Sequence, residues 1–400
     1  MDGAITLEEQ LEGKPDPRIG QQLGGYLVVA RVADGAMGRV YEGRHPETKA
    51  RVAIKVLHDY VARDRVAVER FKREFEAARE MNHPNIVKAL EFGETADKSW
   101  FMTMEYLEGR ELAKALVGKQ PLPKGSIVHV VCQVALALEH AHSFGFIHRD
   151  LKPDNIFLCD TPSGVEVRIL DFGSVKMQME TGQKLTALGT TLGSPYYMSP
   201  EQAMGQSDVD QRSDVFAIGA ILWEMVTGKV AFEASSVAMI LRKILSESPP
   251  PASSLNPESP VALDDVIEKA IRKDKNRRYE TARALAEAAT AAYGLSGTIE
   301  SWAHRPEAEI AVAVAAAVPP PPKPFGASLA PGAVPAVAAP ATAGGRHGAP
   351  AMASASAGAA AVHGMSSSLR PAGVGGNSKL WLGLAAFVLV AIIAIVLLMK

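Results

Sequence analysis

Cysteine is almost missing from this chain. Cys132 and Cys159 are the two present in 400 residues, and they have no paired metal-ligand spacing. That argues against a disulfide framework or a zinc site and for two buried or neutral thiols in a reducing cytosol. The formal net charge is -2 and no Lys/Arg-rich tract stands out, so nothing points to a nucleic-acid partner. An apolar leader is lacking too, because the first 25 residues are polar and carry several acids, so no signal peptide is expected. Charge itself runs out late in the chain. Charged residues are frequent up to about Pro306 and then nearly vanish. From Ala308 to Gly376 the chain is mostly Ala, Pro, Gly and Ser, with an uninterrupted proline run from Pro319 to Pro322. Such a segment has too little large apolar surface to offset its ordering entropy, and it reads as a flexible linker, semi-rigid near the prolines. Ile310 to Val318 is compatible with a short helix, and nothing in its composition requires one.

Beyond that linker the pattern changes again. Leu380 to Met399 contains no charged residue and is bracketed by Lys379 and Lys400. Twenty apolar residues rise about 30 Å as a helix, the thickness of the hydrocarbon core. Thirteen of them are Leu, Ile, Val or Phe, which sums to roughly -4 to -8 kcal/mol on the insertion scale. The neighbouring linker offers no globular core for such a helix to join, and Trp381 stands where an interfacial aromatic would. The expectation is one membrane-spanning helix over residues 380–399. The two lysines are too symmetrical to orient it.

The densest chemistry lies near the middle of the chain. His148-Arg149-Asp150-Leu151-Lys152-Pro153-Asp154-Asn155, followed by Asp171-Phe172-Gly173, groups a candidate base, a lysine and two metal-binding side chains in one short region. Phosphoryl transfer needs those parts, since its chemistry is mostly positioning and charge neutralisation. An apolar helix from Ser126 to Ser143 leads into this loop. Upstream, Val28 to Val40 and Val52 to Leu57 read as strands, with the turn Ala33-Asp34-Gly35-Ala36-Met37-Gly38-Arg39-Val40 in the first and Val52-Ala53-Ile54-Lys55 in the second. There is no Gly-x-x-x-x-Gly-Lys-Ser/Thr and no strand-to-helix Gly-x-Gly-x-x-Gly. Ser199-Pro200-Glu201 follows downstream.

Taken in this order, the motifs resemble the protein kinases of the Ser/Thr type, and in detail their bacterial members, from about Tyr26 to about Tyr293. The resemblance implies an α+β, bilobal protein kinase fold with a small β-rich N-lobe and a larger helical C-lobe. It also implies ATP and Mg²⁺ as cofactors and proteins as substrates. Gly35 and Gly38 would approach the phosphates, with Ala33 standing at the family's first glycine. Lys55 would pair the α- and β-phosphates and be held by Glu74, while Glu69, Glu76 and Glu80 would be solvated. The hinge would be Glu105-Tyr106-Leu107, with backbone groups of Glu105 and Leu107 on the adenine edge. Val32, Val40, Ala53 and Phe157 would enclose the nucleotide, Met104 would wall the rear pocket, and Glu111 would reach the ribose. Asp150 would take the hydroxyl proton, Lys152 would neutralise the transferring phosphoryl group, and Asn155 and Asp171 would hold the metal. His148 would be structural. Arg149 would receive a phosphate on the activation segment, with Thr190 and Thr191 as candidate sites and Ser194 nearer the substrate. Asp214 would cap its helix and brace the catalytic loop, and Glu201 would pair with Arg278.

The implied organisation is an N-terminal extension (1–25), a kinase domain (26–293), an Ala/Pro/Gly-rich linker (294–379) and the membrane helix (380–399). An ATP-using domain faces the cytosol, so the chain is expected to be tail-anchored in a membrane, a bacterial inner membrane by the resemblance. Homodimerisation for phosphorylation in trans is left open. Two other classes compete: a pseudokinase scaffold that binds nucleotide or partners without turnover, and a small-molecule kinase on the same fold. The first would lack one of Lys55, Glu74, Asp150, Asn155 and Asp171, and all five are present.

Overall fold

The computed structural model describes residues 16–161, 164–172 and 195–321. Nine strands lie among them: β1 (Gln22–Leu23), β2 (Tyr26–Asp34), β3 (Gly38–Arg44), β4 (Arg51–Leu57), β5 (Ala89–Glu94), β6 (Trp100–Glu105), β7 (Gly109–Glu111), β8 (Ile156–Thr161) and β9 (Gly164–Ile169). The helices of the first half are α1 (Asp59–Ala62), α2 (Arg65–Glu80), α3 (Leu112–Leu116) and α4 (Lys124–Ser143). Those of the second half are α5 (Pro200–Ala203), α6 (Arg212–Thr227), α7 (Val237–Ser246), α8 (Ala252–Leu255), α9 (Val261–Ala270), α10 (Ala282–Ala292), α11 (Ile299–Ala303) and α12 (Glu307–Ala316).

The first six strands form one antiparallel sheet in the order β1-β2-β3-β4-β6-β5. Strand β4 shows why it forms. Its alternation buries Val52, Ile54 and Val56 on one face and leaves Ala53 and Lys55 half-buried on the other. Helix α2 begins at Asp64, whose side chain accepts from the Val66 amide. Its buried residues Phe71, Glu74, Phe75 and Ala78 recur at helical spacing. Phe71 and Phe75 pack on Phe92 of β5, with ring centroids 5.7 and 5.4 Å apart. One glutamate is thereby carried on an otherwise apolar face.

The helical half is built round α4 and α6, which are apolar on nearly every side and therefore central. Strands β7, β8 and β9 form a second, three-stranded sheet. It is tied to the segment before β5 by Ile169 N–H donating to Asn85 O at 2.8 Å and Val87 N–H to Ile169 O at 3.0 Å. Gln133 of α4 secures the same junction, its Oε1 accepting from Asn85 Nδ2 and from the Val167 amide, both at 2.7 Å.

Both ends of the folded unit lie outside the expected limits of 26 and 293. At the start, β1 adds to the sheet edge with Leu23 buried, and Tyr41 donates to Asp16 at 3.1 Å. At the far end, α11 and α12 are helices packed on α4 rather than linker. Ile299, Trp302 and Ile310 are buried there, and Val314 lies on the same face of α12 as Ile310. Arg283 of α10 clamps the arrangement, reaching Glu139 of α4 at 2.7 and 2.6 Å and Glu300 of α11 at 2.6 Å. Composition misses this because burial of an alanine-rich helix needs only two apolar residues four apart and a smooth surface to receive them. Gly125 supplies that surface: a Cβ there would stand 3.0 Å from the Ala311 amide nitrogen. Ile310→Ala is expected to destabilise the fold by about 2–5 kcal/mol. Urea unfolding of the full chain measures this, and a midpoint unchanged from wild type would refute the docking.

Among the described residues no helix is long and apolar enough to cross a membrane. The run Leu380 to Met399 lies outside the described residues, as do Gly173, Thr190, Thr191 and Ser194.

Candidate active site

Three ionisable side chains from three separate elements meet at Lys55. Its Nζ donates to Glu74 Oε1 of α2 at 2.7 Å and to Asp171 Oδ1 at 2.9 Å. Glu69, Glu76 and Glu80 of the same helix are exposed. One ammonium lies between two carboxyl groups that compete for it. Burial by itself would favour the neutral amine, but Asp171 and Glu74 overcome it and hold Lys55 charged. Burial likewise opposes ionisation of Asp171, although 44% of its side chain is open to solvent, and the Lys55 ammonium pulls its carboxyl well below the usual range. Glu74 is the residue that yields. Burial first, with the Asp171 charge adding to it against the pull of Lys55, pushes it up to about 8.

The loop after α4 carries the second group. Asp150 Oδ2 accepts from Lys152 Nζ at 2.8 Å, and Asn155 Nδ2 donates to the Asp150 carbonyl at 2.7 Å and to its Oδ2 at 3.3 Å. Spending its NH₂ on Asp150 leaves the Asn155 amide oxygen as the atom that could ligate a metal. That oxygen, with the Asp171 carboxylate, is a hard donor set suited to Mg²⁺, which binds one or two protein groups and completes its shell with phosphate and water. Among the described residues no group of three His, Cys, Asp or Glu side chains could hold a metal ion.

The backbone here is strained in two places, with φ of +64° at Arg149 and +53° at Asp171. Buried Asp214 holds the first: its Oδ2 accepts from the His148 amide and its Oδ1 from the Arg149 amide, both at 2.9 Å. His142 adds a bond at 2.8 Å to Oδ2. The loop-bracing role is therefore real, but the capping role is not. Asp214 lies inside the first turn of α6, whose N-cap is Gln211 with no side-chain cap. A carboxylate that takes two amides from a neighbouring loop has turned away from its own helix. His148 is fully buried, packed on Phe172 at 4.8 Å, with Nε2 at 3.0 Å from Leu170 O. Below, Glu201 and Arg278 form a buried bidentate pair, 2.7 Å at each bond. Sequence reasoning missed Gln202, whose Nε2 donates to Arg149 O at 2.6 Å while its Oε1 closes a capping box with Ser199. The Ser-x-x-Gln spacing signals the box; the reach to Arg149 has no local signal.

Along the proposed nucleotide wall, Val40 stands opposite Lys55 and Ala53 opposite Met104. Val40, Ala53, Met104, Leu107 and Phe157 are half-buried and Val32 is 53% exposed, whereas Val52, Ile54 and Val56 on the other face of β4 are closed off. Glu105 uses its amide on Lys88 O at 3.0 Å, so of its backbone groups only the carbonyl remains for an adenine. Glu111 pairs with Lys114 at 3.0 Å. Ala33 is accommodated without a left-handed backbone, by β2 running on to Asp34 with Ala33 opposite Val40. Gly38 is indispensable, since a Cβ would sit 2.2 Å from Val56 O. Both cysteines are buried, which pushes the thiols up, Cys132 to about 12 and Cys159 to about 11.

The fold and this site together are those of a phosphotransfer protein. Residues 26–289 match the protein kinase domain, and the chain belongs to that family. It is similar to the serine/threonine-protein kinase pkn3 of Myxococcus xanthus, 40% identical over 265 residues, which is 65% of this chain and 48% of that protein. It is similar also to the serine/threonine-protein kinase PrkC of Bacillus subtilis, 34% identical over 265 residues, 66% of this chain and 40% of that one. The chain thus spans under half the length of these relatives. Among solved structures, the kinase domain of PknI of Mycobacterium tuberculosis superposes with a TM-score of 0.54 at 28% identity, covering 68% of this chain and 98% of that one.

Proposed function

We propose that this protein is an ATP- and Mg²⁺-dependent protein serine/threonine kinase. The observation that carries the reading is Lys55 held between Glu74 and Asp171 at 2.7 and 2.9 Å, beside a loop in which Lys152 and Asn155 both bond Asp150. In this reading Lys55 turns from Asp171 toward the α- and β-phosphates while Glu74 keeps its bond to the ammonium. Asp171 and Asn155 would hold Mg²⁺, which supplies charge neutralisation on the phosphates. Asp150 orients the substrate hydroxyl and accepts its proton, and Lys152 faces the transferring phosphoryl group. The half-buried apolar residues Val32, Val40, Ala53, Leu107 and Phe157 would enclose the base and sugar. The relatives' designation as serine/threonine-protein kinases supports Ser and Thr as acceptors.

Two further features belong to the same proposal. Arg149 has a buried Nε with no hydrogen-bond partner among the described residues, which supports phosphorylation of Thr190 or Thr191 as an activating event. The uncharged run Leu380 to Met399 supports anchoring in a membrane with the kinase domain in the cytosol. The decisive experiment incubates the full chain with γ-labelled ATP and a generic protein substrate, with and without Mg²⁺. Mg²⁺-dependent label on Ser or Thr is the expected result. Nucleotide binding with no transfer under any condition would reject the reading.

A further inference from the structure

The tip of the β2–β3 hairpin is held by side chains from a segment that has no part in the chemistry above. Three consecutive carbonyls are captured: Gly35 O by His58 Nε2 at 2.8 Å, Ala36 O by the Tyr60 hydroxyl at 2.7 Å, and Met37 O by the His58 amide at 3.0 Å. A carbonyl only accepts, so His58 Nε2 carries the proton in the first of these bonds. The imidazole and phenol stack on each other, with centroids 5.4 Å apart and planes at 14°, so the two captures act as one unit. Asp34 Oδ1 lies 3.3 Å from the same His58 nitrogen, and its Oδ2 takes Arg39 Nε at 2.9 Å.

The amides behave in the opposite way. Gly35 N–H closes the turn on Gly38 O at 2.9 Å, while those of Ala36 and Met37 donate to no group among the described residues. Successive unpaired amides form an anion-binding concavity, and each unpaired carbonyl beside them would repel the same anion. Turning all three carbonyls onto His58 and Tyr60 removes that repulsion and fixes which side of the hairpin the amides present.

We infer that His58 and Tyr60 are positioning residues for the triphosphate, acting through the backbone of Gly35, Ala36 and Met37. This rests on the proposal that the protein binds ATP. Neither residue touches the nucleotide, so the effect should be specific to phosphates and should spare the base. Each lost bond is expected to weaken binding of the Mg²⁺ complex of a non-hydrolysable ATP analogue by about 3–10-fold, and loss of both by about 10-fold or more.

The test is calorimetric titration of the full chain, as wild type, His58→Ala, Tyr60→Phe and the double variant, with that analogue and separately with adenosine. Weaker analogue binding with adenosine affinity held within about twofold, a raised KM for ATP, an unchanged KM for protein substrate and partial recovery in His58→Gln would establish the role. Equal losses for analogue and adenosine, or no loss at all, would overturn it. Wild type that binds the analogue no better than adenosine would instead reject the ATP-binding proposal itself, so the two failures are told apart.

Discussion

Asp150→Asn is expected to lower the rate of phosphoryl transfer by about 10²–10⁴ while leaving the fold and nucleotide binding intact. The substitution keeps the size and planarity of the side chain and removes its ability to take a proton. The loop should survive, because its principal internal bond runs from Asn155 Nδ2 to the Asp150 backbone carbonyl at 2.7 Å, not to the side chain. Asp150 is also half open to solvent, with 51% of its side chain exposed, so an amide there buries no new unsatisfied group. What changes locally is Lys152, which keeps an oxygen acceptor but loses its counter-charge. Measured by label transfer from ATP, turnover within about threefold of wild type would remove Asp150 from the chemistry. Turnover lost together with the thermal transition would mean the loop had collapsed and the variant reports on folding alone.

Arg278→Ala should have the largest effect on stability, about 3–5 kcal/mol. The guanidinium is fully buried and spends its donors on five acceptors: both oxygens of Glu201 at 2.7 Å, then Arg272 O at 2.7 Å, Arg212 O at 2.9 Å and Lys273 O at 3.1 Å. Removing it strands a buried carboxylate and three carbonyls together. Arg278→Lys should recover little, because a single ammonium cannot reproduce the planar fork. The pair also carries a pH signature. Burial would raise the Glu201 carboxyl, but the Arg278 and Ser213 bonds outweigh it and the folded value is lowered. A lowered folded value means the contribution is present above the unfolded carboxyl range and is lost as pH falls through the folded one. Urea unfolding followed downward from neutral pH should therefore show an acid loss of stability in wild type that Arg278→Ala lacks. An equally steep acid limb in the variant would assign that loss to other carboxylates.

These two sites differ in how they could be foreseen. The residues about Asp150 stand within a few positions of one another, and their chemistry requires that closeness, so a short string announces them. Glu201 and Arg278 lie 77 positions apart and were paired only through resemblance to a family. Glu74 falls between: the 3.6-residue period places it on the buried face of α2 with Phe71, Phe75 and Ala78, where a carboxylate needs a cation. The opposite case is Asp214, whose place near the start of an apolar helix suggested a cap. A helix start is a local pattern, whereas the two loop amides it actually binds come from residues 65 and 66 positions earlier.

What the sequence by itself determined was local and chemical: the pattern of several strands and helices, and which side chains could work on a phosphate. Alternation in β4, the period of α2 and the apolar wrap of α4 and α6 each follow from the chain's own pattern. The tertiary structure alone decided three other matters: that 299–316 belongs to the folded unit, that Asp214 serves a loop and not its helix, and that His58 and Tyr60 turn the hairpin carbonyls aside. Each depends on a receiving surface supplied by residues distant in sequence, and no pattern within a segment records whether such a surface exists.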